Sequence, residues 1–235
     1  MKPLNKTLIG VIIIYLALTS LYCGKYNKFS KNTKEDTPIT VLSGNKLLID
    51  DLEGNILTDS GYGNRAELSV SFILKKDCSE DIHTGNQAIK LTYDKTYGGY
   101  MYCARGFGLT PSVKIPQEKL IWTVKPDEID FNKYNAFGFY IKGDNTGNTI
   151  AVDLFDKDKE VFRYMITDDS KSWKEIVIPF NKFISRNDYQ SNSSKSNKKI
   201  DFPILTYQFE PFGGKGKEIK GNIIIDTVHF DITEL

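Results

Sequence analysis

From Leu47 onward, apolar and polar residues alternate with a period of two. Ile89, Leu91 and Tyr93 share one face of a first run, Phe137, Phe139 and Ile141 one face of a second, and Ile150, Val152 and Leu154 one face of a third. That is the pattern of half-buried β-strands. Each run is short and stops at turn-forming residues such as Thr84-Gly85-Asn86, Lys142-Gly143-Asp144-Asn145 or Asp168-Asp169-Ser170. No stretch of this region keeps apolar residues at helical spacing for three turns, so Asp127 to Tyr134 and Asn181 to Ile184 are read as short turns only. Regularly spaced short strands with turn signals between them predict an all-β sandwich or jelly roll. Ile49-Asp50-Asp51-Leu52-Glu53-Gly54 and Ile223 to Phe230 bracket it as two apolar strands with carboxylates embedded in them.

The pattern ahead of this domain is different. Lys2 and Lys6 precede a largely apolar run from Leu8 to Leu21, shorter than the roughly 20 residues of a comfortable membrane span and suited to the core of a signal peptide. Residues 1–23 are therefore read as a signal peptide or anchor and 24–46, rich in Lys, Asn, Ser and Thr, as a flexible tether. The domain proper is expected over 47–235. Ser20-Leu21-Tyr22-Cys23 resembles a bacterial lipobox, with Tyr22 where a small residue is usual. The resemblance implies lipidation at Cys23 and an exported, membrane-anchored lipoprotein of the cell envelope; an uncleaved anchor and ordinary secretion remain open on the residues alone. Cys78 and Cys103 are then an even pair, either a disulfide or two separately buried thiols. Tyr189 to Lys199, with its Ser, Asn and Lys, reads as a mobile loop.

Charge narrows the partners. The 31 Lys and Arg nearly cancel the 30 Asp and Glu, a net charge of +1, so there is no single-sign field to hold a nucleic-acid backbone. A neutral partner suits the chain better. No nucleophile elbow, metalloprotease helix or phosphate loop is present, and Gly213-Gly214-Lys215-Gly216-Lys217 lacks the Ser or Thr of the last. His83 and His229 lie far apart without metal-ligand spacing, so each is read as a surface or strand residue, and no enzyme is expected.

What the chain does supply is aromatic surface. A sugar ring packs its C–H face on a flat apolar side chain and pairs its hydroxyls with planar polar groups. Tyr97, Tyr100 and Tyr102 surround the Gly98-Gly99 pair, and if Ile150, Val152 and Leu154 face the core, Asp153 and Phe155 face outward. In Val161 to Ile166 either Tyr164 or Arg163 reaches an exposed face, but not both; alternation alone does not decide.

The opening Ile49 to Gly54 hexapeptide, Tyr97-Gly98-Gly99-Tyr100-Met101-Tyr102, the Trp173 to Phe180 run and Arg186-Asn187-Asp188-Tyr189-Gln190 resemble, in content and order, the family 11 carbohydrate-binding modules. They also resemble related galactose-binding-like jelly rolls, the complex I intermediate-associated protein 30 family among them. Over Leu47 to Ile232 the resemblance implies a β-sandwich jelly roll that binds without catalysing, with a β-glucan-like neutral polysaccharide on a concave sheet. It implies Tyr164 and Tyr189 as the cleft tyrosines, with Arg186 and Asp188 as polar neighbours. It further implies a structural Ca2+ at Glu53 and Asp226, completed by a carbonyl of the Thr84 to Gln87 loop. Because no catalytic domain is evident in the chain, an envelope scaffold or assembly factor using the same fold to bind a protein partner is the competing expectation.

Overall fold

The computed structural model describes residues 45–96, 99–111, 114–213 and 218–234. The signal peptide, Cys23, most of the tether and Tyr97 lie outside the described residues. Among the described residues are twelve strands: β1 (Lys46–Asp50), β2 (Asp59–Gly63), β3 (Ala66–Leu74), β4 (Gln87–Lys95), β5 (Tyr100–Gly106), β6 (Ala136–Gly143), β7 (Thr149–Asp156), β8 (Val161–Thr167), β9 (Lys174–Pro179), β10 (Ile184–Ser185), β11 (Ile204–Phe212) and β12 (Ile219–Asp231). Single 3-10 turns at Pro126–Glu128 and Phe180–Lys182 occupy the two places where short turns were expected.

The strands form two six-stranded sheets. The first runs β3-β4-β12-β6-β9 with β1 also paired to β12, and the second runs β10-β8-β7-β11-β5-β2. Every pairing is antiparallel. The chain is thus an all-β sandwich. Its first and last strands close on each other, Leu47 opposite Phe230 and Lys46 opposite Asp231, so the expected tether gives way to strand at Lys46.

The period-two pattern puts one apolar row of each sheet between the layers. Leu91, Phe137, Phe139, Ile223 and Phe230 from the first sheet meet Met101, Val152, Leu154 and Phe209 from the second, each nearly or wholly removed from solvent. Each such side chain stabilises the sandwich by about 1.5–3 kcal/mol relative to exposure. Cys78 and Cys103 do not form a disulfide with each other and both are buried, and burial pushes the thiol of Cys103 up to about 12.

Between the two sheets lies a buried charged cluster. Asp50 receives Arg105 Nε at 2.6 Å and Nη2 at 3.2 Å, and the Tyr207 hydroxyl at 2.8 Å. The remaining Arg105 donors go to the carbonyls of Leu57 (2.5 Å), Lys119 (2.9 Å) and Ile121 (3.0 Å). All five N–H groups of a fully buried guanidinium are used, which is the condition under which such a charge is tolerated. The cluster ties β1, β5, β11 and the 117–121 segment together.

Candidate functional site

The outer face of the second sheet carries a groove of about 670 Å³. Its floor follows from the register. Arg163 pairs with Asp153, Asp153 with Gln208, Gln208 with Ala104 and Ala104 with Asp59, a row crossing β8, β7, β11, β5 and β2. Successive side chains of a strand alternate faces, so the burial of Ile150, Val152 and Leu154 turns Asp153 and Phe155 outward, as expected. Thr206, Gln208 and Glu210 likewise face the groove while Tyr207 and Phe209 enter the core.

Two tyrosines of β5 lie across the edge strand β2. Tyr102 is registered to Gly61 and Tyr100 to Gly63. A Cβ on either glycine would stand 2.9 Å from the Tyr102 ring or 2.8 Å from that of Tyr100, so the absence of side chains there lets the rings lie flat. Tyr100 stays 49% exposed. Tyr189 is 53% exposed and faces the same groove from the segment after β10, with the Arg186 guanidinium 5.2 Å from its ring centroid. Phe107 to Thr110 form one wall, and Asp59, Lys159 and Ser191 contribute polar groups.

The floor is held by an ion network. Arg163 donates to both oxygens of Asp153 at 2.6 and 2.7 Å, and its Nη2 also donates to Glu210. Arg186 Nη1 reaches Asp153 at 3.0 Å and lies 3.2 Å from Glu210, while Arg186 Nε and Nη2 hold Asp188 at 2.8 and 3.2 Å. Gln208 donates to Asp153 at 3.0 Å. Burial works against the Arg163 charge, yet the paired carboxylates outweigh it and hold the guanidinium above its ordinary range. Burial raises Glu210, opposed by Arg163 and Arg186, and the bond from Arg186 lowers Asp188. Such bidentate pairs fix planar donors and acceptors in place before any ligand arrives.

One expected member of this site is corrected. Tyr164 lies on the same side of β8 as the core residue Phe162, half-buried against Phe183 at a centroid distance of 6.0 Å. Because Asp153 faces outward and is registered to Arg163, it is Arg163 that takes the groove side and Tyr164 the inner one. Tyr100, Tyr102, Phe155, Arg186 and Tyr189 do line the groove, with Asp153 beneath and Asp188 bonded to Arg186. The segment read as a mobile loop is instead pinned. Gln190 bonds the backbone of Val161 at 2.8 and 3.0 Å and Arg186 O at 2.7 Å. The buried carboxylate of Glu160 takes the hydroxyl of Ser185, that of Ser196 at 2.7 Å and the amides of Asn197 (2.8 Å) and Lys198 (3.2 Å). Sequence reasoning missed Asp59, Gln208, Glu210 and the Phe107 to Thr110 wall; the polar alternation in Thr206-Tyr207-Gln208-Phe209-Glu210 carried a signal for two of them.

Apart from the groove, Glu53 and Asp226 flank one loop. Asp226 Oδ2 accepts the amides of His83 (2.9 Å) and Thr84 (3.0 Å), and Glu53 Oε1 those of Asn86 (2.5 Å) and Gln87 (3.0 Å). Burial raises both carboxyls, Asp226 to about 6. Among the described residues neither makes an ion pair with a Lys or Arg. Two acids flanking one loop, Asp226 buried and Glu53 half-buried, neither facing a Lys or Arg partner among the described residues, suit a hard cation in charge and donor type.

A family model described as the carbohydrate binding domain of family 11 matches residues 34–230. The chain belongs to this family. Among solved structures, the family 11 carbohydrate-binding module from Clostridium thermocellum in complex with a β-1,3-1,4-mixed-linked tetrasaccharide superposes with a TM-score of 0.60 at 23% identity, covering 81% of this chain and 97% of that one. The family 11 module of the cellulosomal cellulase Lic26A-Cel5E of the same organism gives 0.58 at 23% identity, with 81% and 96% covered. These likenesses establish the family 11 sandwich fold. Among curated proteins, endoglucanase H of Acetivibrio thermocellus is 32% identical over 165 residues, which is 67% of this chain and 15% of that protein. A mannan endo-1,4-beta-mannosidase of Bifidobacterium adolescentis is 24% identical over 159 residues, 66% of this chain and 13% of its own length. The family 11 chain thus spans about one seventh of the curated relatives it matches.

Proposed function

We propose that this family 11 domain holds a neutral β-linked glucan on the outer face of its second sheet and has no catalytic activity of its own. The observation that carries this reading is the groove itself. Two half-exposed tyrosines, Tyr100 and Tyr189, flank a floor of prearranged carboxylates and guanidinium groups, the combination of flat apolar faces and planar polar groups that a saccharide uses. An open groove in which aromatic and aliphatic surface alternates with polar side chains favours a glycan over a protein partner, which would call for a flat apolar patch. The mixed-linkage tetrasaccharide bound by the Clostridium thermocellum module supports a β-glucan as the class. Asp153 and Glu210 are both engaged by Arg163 and Arg186, which disposes these two carboxylates to accept hydrogen bonds in place rather than to exchange a proton with substrate. Affinity electrophoresis of the full chain through gels cast with mixed-linkage β-glucan, mannan or no polysaccharide tests the reading. Retardation by the glucan is expected; equal migration in all three gels refutes it.

We further propose that the domain is displayed from the cell envelope through lipid on Cys23, motivated by the apolar run before it. Metabolic labelling with a palmitate analogue decides this, since wild type and Cys23→Ala must then differ in label. A structural Ca2+ at Glu53 and Asp226, completed by a carbonyl of residues 84–87, belongs to the same proposal, supported by two acids, one buried and one half-buried, that accept backbone amides but face no Lys or Arg partner among the described residues. An ion bound only by the folded state adds about 2.7 kcal/mol at a hundredfold excess over its Kd. Melting of the full chain should therefore fall on chelation and recover with Ca2+, and a midpoint indifferent to both excludes the ion.

A further inference from the structure

On the outer face of the first sheet, opposite the groove, three side chains from two strands converge. Glu175 of β9, and His229 and Asp231 of β12, place one ligand atom each within 4.8 Å of one another. His229 Nε2 stands 3.3 Å from Glu175 Oε1 and 4.0 Å from Asp231 Oδ2. The ring is wholly buried, and Nε2 has no hydrogen-bond partner among the described residues.

The tautomer makes this arrangement informative. His229 Nδ1 lies 3.2 Å from the carbonyl of Thr227, and since a carbonyl can only accept, Nδ1 carries the hydrogen. In a neutral imidazole the lone pair is then on Nε2, aimed at two carboxylates. That is repulsive unless a proton or a metal stands between them. A histidine held by one ring nitrogen on a backbone carbonyl, with the other offered to a site beside carboxylates, is how metal-binding imidazoles are commonly oriented.

The backbone is arranged to make room for it. The β12 ladder shifts register between Asp226 and His229, and Thr227 in that bulge has φ +50°, a value a β-branched residue rarely adopts. Bulges of this kind re-aim a side chain. Across the ladder, His229 faces Gly138, where a Cβ would stand 2.3 Å from Nε2, so only glycine leaves space for the ring. Tyr140 bonds Glu175 and the Lys46 ammonium pairs with it, lying 3.9 Å from Asp231.

We propose that Glu175, His229 and Asp231 form a binding site for a zinc-class divalent metal, in which Lys46 is a built-in competing cation that swings away on binding. One nitrogen and two carboxylate oxygens suit zinc or cobalt, and ligand atoms around one such ion at about 2.1 Å stand roughly 3.4 Å apart. The observed 3.3 Å already fits this spacing, and the 4.0 Å needs only a small contraction. Glu175 remains partly exposed, which gives the ion an entry path and a place for solvent as the remaining ligand. The ion would cross-link β12 to β9 over β6.

Titration of the metal-free full chain with Co2+ alone, followed by its visible absorption and by melting, tests this. One Co2+ per chain is expected, displaced by Zn2+, with a raised melting midpoint. Affinity should drop at least tenfold in Glu175→Gln and in Asp231→Asn, both checked for a wild-type fold by circular dichroism, and should rise about tenfold in Lys46→Met. Glu67→Gln, an exposed acid of β3, should bind as wild type. Absence of saturable Co2+ binding, equal affinity in wild type and Glu175→Gln, or an equal loss of affinity in Glu67→Gln would each overturn the site.

Discussion

Two arginine–carboxylate clusters sit on opposite faces of the same sheet and differ in how completely they are closed. Inside, Arg105 uses all five donors on Asp50 and three carbonyls, and the Tyr207 hydroxyl completes the carboxylate. Outside, Arg163 and Arg186 share Asp153, Glu210 and Asp188, but Arg163 Nη1 stands 3.9 Å from Asp188, beyond hydrogen-bond reach, and the Asp188 side chain is 51% exposed. A closed cluster can only hold strands together. An open one beside exposed tyrosines also offers donors and acceptors to something that arrives from solvent. Under the proposed function the same pairing chemistry serves architecture on one face and recognition on the other, and what separates the two roles is residual hydrogen-bonding capacity.

The sharpest way to break this comparison is to open the inner cluster. Asp50→Ala leaves a buried guanidinium unpaired, which typically costs 3–5 kcal/mol; chemical denaturation should show that loss. Asp188→Ala removes an exposed partner worth about 1 kcal/mol or less and should leave the denaturation midpoint near wild type while weakening glucan retardation. Equal losses of stability in the two variants would mean that the clusters do not differ in role.

A smaller effect is expected at Tyr164. It packs inward against Phe183, and because it is only half-buried its truncation should cost less than the roughly 3–5 kcal/mol of a fully buried aromatic, about 2 kcal/mol. Tyr164→Ala should melt early yet keep its retardation in glucan gels once folded. If it melts as wild type and loses retardation, the face assignment of β8 is wrong.

That residue also marks the limit of what the chain alone reveals. On β7 the row Ile150, Val152 and Leu154 is uniformly aliphatic, so the phase of the strand is legible and Asp153 and Phe155 follow. On β8 both faces carry large side chains, Phe162, Tyr164 and Ile166 against Val161, Arg163 and Met165. The period is legible there but its phase is not; only the register to Asp153 decides it. The pinning of 189–199 was hidden for a different reason. Its composition reads as loop, while the order comes from a single distant carboxylate, Glu160, and from Gln190 on the Val161 backbone. His229 carries a related lesson, since its neighbours in space are Asp231 two residues on and Glu175 on a strand two places away in the sheet, a grouping with no fixed spacing along the chain.

The claim that the outer face of the second sheet is the glycan-binding face rests most directly on Tyr100 and Tyr189. Truncating an aromatic that stacks on a ligand costs on the order of 1–3 kcal/mol of affinity, by analogy with base stacking, and little stability when the ring is exposed. Tyr100→Ala and Tyr189→Ala should therefore be measured side by side, each by thermal melting and by affinity electrophoresis through mixed-linkage β-glucan. Each variant is predicted to melt within a few degrees of wild type and to lose most of its retardation, the double variant all of it. Full retardation of both single variants, in a gel that retards wild type, would contradict the assignment.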